Sequence, residues 1–157
     1  RLEIVHHHGS RWLPYGDFHL GYRKTALQPG ELLSALWIPY PPKHSRGYFR
    51  KVGTRAAQAI AKVSIAALIE VNSDGIIQSA HFGMASVAAT PCALPSVSQY
   101  LLGRALCDIA DMQVRQKVKQ DIAPIQDIRS TTAYRLEIAS RLVLEAIHKR
   151  SESKKEN

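Results

Sequence analysis

The chain has little that points to familiar chemistry. It has only two cysteines, Cys92 and Cys107. They lack a CxxC spacing and have no paired histidines nearby, which argues against a zinc site and against a disulfide framework. Two such thiols in a chain without a secretory signal read as reduced residues of a cytoplasmic protein, or as small buried hydrophobes. No apolar run reaches the length that spans a bilayer, so no membrane association is expected. GxSxG, HExxH, the P-loop and the dinucleotide GxGxxG are all absent. Zinc-finger spacing, aromatic RNA-binding signatures and basic-zipper heptads are missing as well.

What is there fits one folded domain's worth of chain: 157 residues, 45% hydrophobic, enough to bury a core. The formal net charge of +8 favours anionic partners. Lys and Arg are nonetheless spread along the chain, with clusters only at 46–55 and 149–155, and no nucleic-acid partner is expected. A basic nucleic-acid-binding module stays open as an alternative, and steep salt dependence of DNA retention is its signature. The chain opens on Arg1 and enters at once on an alternating segment, which suggests an excerpt from a longer polypeptide.

Hydrophobic periodicity places strands first and helices last. Strands are expected over 1–8, 11–13 and 31–38, then over 48–52, 60–71 and 76–87. Asp17 is a candidate cap in the loop or helical turn after Leu13. Pro29-Gly30 and Asn72-Ser73-Asp74-Gly75 mark turns, the second a hairpin. Pro39-Tyr40-Pro41-Pro42 breaks the chain between two domains; a ligand for a proline-binding module is the other reading. Gly83 marks a bulge. Ser96 is expected to cap a short helix closed by Gly103. A helix over 105–119 carries the stripe Leu106, Ile109, Ala110, Val114 and Val118. The last helix, 132–149, buries Leu136, Ala139, Leu142, Val143, Ala146 and Ile147. Glu137–Arg141 and Glu145–Lys149 form i,i+4 pairs on its wet side. The polar tail 151–157 is expected to be disordered. The fold class is therefore α+β: an antiparallel sheet of about three to four strands covered on one face by about three helices.

His6-His7-His8 invites two sharper readings, a metal site or a purification-tag remnant. Neighbouring strand residues point to opposite faces, so the three are expected not to converge on one metal. Asp17–His19 and Asp127–Arg129 are the nearest things to catalytic pairs, and both read better as caps or surface pairs. The short polar loop 53–59, between two apolar strands, is the expected place for a ligand.

Several short motifs carry a resemblance. Phe18-His19-Leu20-Gly21-Tyr22-Arg23-Lys24-Thr25-Ala26-Leu27-Gln28-Pro29-Gly30-Glu31-Leu32-Leu33, then Ile38-Pro39, is similar to the end of the flavin-binding (PCMH-type) domain of xanthine dehydrogenases, the molybdenum hydroxylases. Phe49-Arg50-Lys51-Val52-Gly53-Thr54-Arg55 with Ile60-Ala61-Lys62-Val63 resembles the segment that follows. Gly83, Thr90-Pro91, 121–124, 127–131 and Tyr134-Arg135 also match, in order, over nearly the whole chain. The resemblance implies that residues 1–42 end an FAD domain, preceding the sheet with strands of their own. It makes 43–150 a domain like the C-terminal domain of the carbon monoxide dehydrogenase flavoprotein.

By that likeness Leu33 packs against the flavin, Lys51 contacts the FAD, and Arg55 and Ile60 belong to a loop bordering the isoalloxazine. No residue is expected to be catalytic or to bind metal. Implied partners are the remainder of the FAD domain, iron–sulfur domains, a large subunit holding the molybdenum cofactor, and NAD at the flavin. The implied activity is relay of electrons taken from a purine at molybdenum, through iron–sulfur clusters and FAD, to NAD. Animal relatives carry acidic residues where Ala57, Gln58 and Ala59 stand, so the loop is expected to lack their charge. The alternative is a docking domain without ligand contact. The Gly-rich turn that cradles the FAD pyrophosphate in that family is not in this sequence. The isolated chain is therefore expected to bind FAD weakly or not at all, and a stoichiometric flavin absorbance after purification would defeat that expectation.

Overall fold

The computed structural model describes residues 1–55 and 58–152. The chain divides into two compact units, Arg1–Pro41 and Pro42–Asn157, with the division inside the proline-rich break.

The first unit is built on a three-stranded antiparallel sheet of β1 (Leu2–His6), β2 (Gly9–Leu13) and, after two very short strands, β3 (His19–Gly21) and β4 (Lys24–Thr25), β5 (Leu32–Leu36), in the order β2-β1-β5. Leu2 and Ile4 alternate inward and close a small core with Phe18. Asp17 lies inside a single 3-10 turn, Tyr15–Asp17, whose cap position is Pro14, so it does not cap as expected. Arg11 holds the unit together, donating to both Glu31 carboxylate oxygens at 2.8 Å and to the Ala26 carbonyl at 2.9 Å. That guanidinium, helped by the Gln28 N–H, holds the Glu31 carboxyl down to about 2.

The expected alternation of the three histidines fails for a simple reason. Strand β1 stops at His6, and His7 and His8 form the turn to β2. The turn backbone gathers ring nitrogens from all three to within 4.8 Å of one another.

The second unit is a four-stranded antiparallel sheet, β6 (Ser45–Val52), β7 (Val63–Val71), β8 (Ile77–Ala85) and β9 (Cys92–Ala93), paired in that order. Helices α1 (Pro95–Leu101) and α3 (Thr132–Glu152) pack on β8 and β7, and α2 (Asp111–Asp121) packs against both helices. Strand β7 alternates strictly: Val63, Ile65, Ala67, Ile69 and Val71 are buried beneath the helices. Ala139, Leu142, Val143, Ala146 and Ile147 of α3 meet them, as the helical period requires. Each fully buried branched aliphatic side chain contributes roughly 2 kcal/mol by removal from water. The i,i+4 pairs of α3 form, with Arg141–Glu137 at 2.6 Å and Lys149–Glu145 at 3.3 Å. Helix α3 continues through Glu152, two residues into the expected tail, and residues 153–157 lie outside the described residues. Among the described residues, no helix is long and apolar enough to cross a membrane.

Other expectations are corrected by tertiary hydrogen bonds. Gly83 makes no bulge: it pairs in register with Ala66, and the irregularity lies between Glu70 and Val71. Ser96 is not the cap of α1. Asp121, at the far end of α2, reaches back, and its carboxylate accepts the Ser96 and Val97 N–H groups at 3.1 Å. The helix expected over 105–119 is split into a 3-10 turn at Leu106–Asp108 and α2 from Asp111. An antiparallel bridge between Ile76 and Ala105, and the Leu106 N–H given to the Gly75 carbonyl, pull this stretch across the end of the β7–β8 hairpin. In the hairpin itself the Asn72 side chain accepts the Asp74 and Ile76 N–H groups, with Gly75 at φ +86°.

Arg135, near the start of α3, is 3% exposed. Its guanidinium donates to the Lys62 carbonyl at 2.7 Å and the Ser86 carbonyl at 2.6 Å, and pairs with Asp127 at 2.7 Å. Burial pushes the Asp127 carboxyl up, but hydrogen bonds from the Arg129 N–H, Arg135 and the Ser130 N–H hold it below the usual range. Replacing Arg135 by Met orphans the Lys62 and Ser86 carbonyls and leaves the Asp127 carboxylate with its backbone N–H donors but without its cation. We expect a loss of about 3 kcal/mol or more, read as a lower midpoint in urea unfolding at unchanged m.

Candidate functional site

The sheet of the second unit has one face under the helices and one face without them. Directly opposed residues in antiparallel strands share a face. The row Lys51–Ser64–Ala85 and the row Phe49–Ala66–Gly83 therefore lie opposite to Val63, Ile65 and Ala67, on the helix-free face. Phe49 is 71% exposed there. Lys51 sits beside it, exposed, and its ammonium has no hydrogen-bond or ion-pair partner among the described residues.

One residue beyond Lys51 the chain leaves the sheet. The strand expected from Ile60 starts only at Val63, because the Lys62 N–H closes on the Val52 carbonyl at 2.7 Å, and residues 53–55 and 58–61 lie outside the strands. Ile60 consequently stands in the loop, 64% exposed. Arg55 is spent on the loop's own shape: Nε and Nη2 both donate to the Gln58 carbonyl, at 3.3 and 2.6 Å, with Gln58 at φ +51°. Gly53 lets the two limbs approach, since a Cβ there would lie 2.8 Å from the Ala59 Cβ. Ala57, the first of the uncharged positions noted above, lies outside the described residues.

The loop's base is fixed from the helical side. Arg135 holds the Lys62 carbonyl, and the Lys62 ammonium lies 5.3 Å from the Tyr134 ring centroid. Ser86, at φ +65°, turns its carbonyl to the same guanidinium. These supports were not legible as functional residues. Lys62 and Tyr134-Arg135 stood among the motifs of the family resemblance, but nothing in the sequence showed that they meet.

Leu33 belongs to the first unit. It lies on β5 opposite buried Ile4, yet is 40% exposed, because β5 is an edge strand. The structure thus brings Lys51, Arg55 and Ile60 together at one strand end and its loop, and shows Leu33 as an apolar side chain on its own sheet. Asp127 and Arg129 form a tight turn, with Asp127 accepting the Arg129 N–H at 2.9 Å, a structural part.

Residues 48–150 match the family model of the CO dehydrogenase flavoprotein C-terminal domain. The chain belongs to that family. It is 31% identical over 151 residues, 94% of its length, to the carbon monoxide dehydrogenase medium chain of Afipia carboxidovorans. To the putative xanthine dehydrogenase FAD-binding subunit of Escherichia coli it is 26% identical over 148 residues, again 94% of its length. It spans 50% of each of these two proteins. Among solved structures, the reconstituted CO dehydrogenase from Oligotropha carboxidovorans superposes with a TM-score of 0.80 at 28% identity, covering 90% of this chain and 49% of that one. The flavoprotein C-terminal fold accounts for the antiparallel sheet and its three helices.

Gly53→Ala tests the loop's packing. We expect the 53–61 loop to open and to be cleaved faster in limited proteolysis, while the urea midpoint moves little.

Proposed function

We propose that this chain is part of the FAD-binding subunit of a molybdenum-hydroxylase-type oxidoreductase, with Leu33, Lys51, Arg55 and Ile60 bordering the flavin. On this reading residues 1–42 close the PCMH-type flavin domain and 43–150 form the flavoprotein C-terminal domain. The observation that carries it is the Lys51 ammonium, without a partner among the described residues, beside a loop bearing exposed Ile60, within a domain of this family. A flavin ring fits such a setting: its faces are apolar, and its reduced form gains negative charge. When bound, FAD would supply one- and two-electron redox chemistry.

The chain's own residues would do three things. Leu33 and Ile60 would exclude water from the ring. Lys51 would place a positive charge beside it, at a position fixed by its pairing with Ser64. Arg55 would act through Gln58, keeping Ile60 on its side of the loop. Iron–sulfur domains and a molybdenum-cofactor large subunit would complete a cytoplasmic enzyme. The finer reading is a xanthine dehydrogenase-like enzyme with NAD as acceptor. The two curated relatives are named for carbon monoxide and for xanthine, which supports a flavin role shared across substrates better than a particular substrate.

Phe49 supports a second reading. Exposed beside Ala66 on the helix-free face, it suits docking of a neighbouring subunit without ligand contact; flavin crosslinks that never map near Leu33 or Lys51 would favour that.

Lys51→Ala in the complete enzyme is expected to slow acceptor reduction about tenfold, equivalent to ~1.4 kcal/mol of barrier. Lys51→Arg should restore part of the rate. Flavin content and turnover unchanged in Lys51→Ala would remove Lys51 from the site.

A further inference from the structure

Among the described residues, the β1–β2 turn gathers three metal-ligating side chains, His6, His7 and His8. Ring centroids are 3.9 Å apart for His6 and His7, 3.6 Å for His7 and His8, and 5.2 Å for His6 and His8. One nitrogen from each lies within 4.8 Å of the others. An ion bonded to three imidazoles at ~2.0–2.1 Å draws their nitrogens to ~3.3 Å of one another. The remaining movement is small for His7 and His8, which are exposed.

His6 is the fixed member. It ends the strand whose Leu2 and Ile4 are buried, and its ring lies so close to Gly30 that a Cβ there would come within 2.9 Å of Nε2. Gly30, at φ +82°, thus gives both the turn and the room for the ring. The His8 N–H lies 3.4 Å from Nδ1 of His6, so the hydrogen bond given up if this nitrogen ligates an ion is a long one. A concavity of about 250 Å³ beside the turn, lined by His6, His8, Ser10, Arg11 and Glu31 among others, leaves space for an ion's remaining solvent ligands.

We propose that His6, His7 and His8 form a surface site for a divalent transition-metal ion of the zinc, nickel or copper kind. Three neutral imidazoles suit these ions, whereas calcium and magnesium need oxygen donors. The nearby carboxylate, Glu31, is held by Arg11 through both oxygens and is no ligand here. The fold contributes by anchoring His6 and by turning the chain back through His7 and His8, which a flexible run of histidines does not do.

Zn(II) titrated calorimetrically into the full chain tests this. We expect one equivalent bound, with affinity falling at least about tenfold in His8→Ala, in His6→Gln and in the urea-unfolded chain. Cu(II) bound to the folded chain should show three nitrogen ligands in its electron paramagnetic resonance spectrum. His8 is exposed in a turn, so His8→Ala should keep the native circular dichroism. Absence of binding, wild-type affinity in His8→Ala, or equal affinity in the unfolded chain would overturn the proposal.

Discussion

The buried Arg135 guanidinium is the interaction on which the geometry of the second unit turns. It joins four elements: the base of the loop through Lys62 and the end of β8 through Ser86, both far away in the chain, the nearby tight turn at Asp127, and the start of α3. Removing a guanidinium from water is costly, and only several well-aligned acceptors offset the cost. Here two carbonyls and a carboxylate accept from its Nη atoms, while its buried Nε has no partner among the described residues. Because the acceptors lie on different segments, satisfying one charge fixes the relative positions of all of them.

That constraint reaches the two described limbs of the exposed loop. Its lower end is held by Lys62, its limbs meet at Gly53 and Ala59, and Arg55 braces the Gln58 carbonyl. What remains for a ligand is what the scaffold does not consume: the Lys51 ammonium and the Ile60 side chain. A rigid base with unspent groups at its rim is the arrangement in which a loop can recognise a partner without first being ordered by it.

Much of the second unit was legible in the residues. The two-residue period of Val63 to Val71, the Asn72–Gly75 turn and the apolar stripe of α3 each state their structure within a few positions. The family resemblance was legible too, because several motifs fall in order at mutual distances that one motif alone does not specify. The site was legible only in part. Lys51 and Ile60 were named by likeness, but Ile60 was read as strand, since its apolar neighbours continue the β7 pattern. The Lys62-to-Val52 hydrogen bond ended that pattern earlier than periodicity indicated.

The residues by themselves determined the local periodicities, the turn positions and the family. Tertiary structure decided which polar groups meet: Asp121 capping a helix that begins 26 positions earlier at Pro95, Arg135 reaching a carbonyl 73 positions away, and three histidines gathered at a turn instead of alternating along a strand. The physical reason is the range of the forces. Backbone preference and hydrophobic period act over a few residues and can be read in line. A buried charge or an unsatisfied N–H is satisfied by whatever group the folded chain brings within about 3 Å, and sequence distance has no bearing on that.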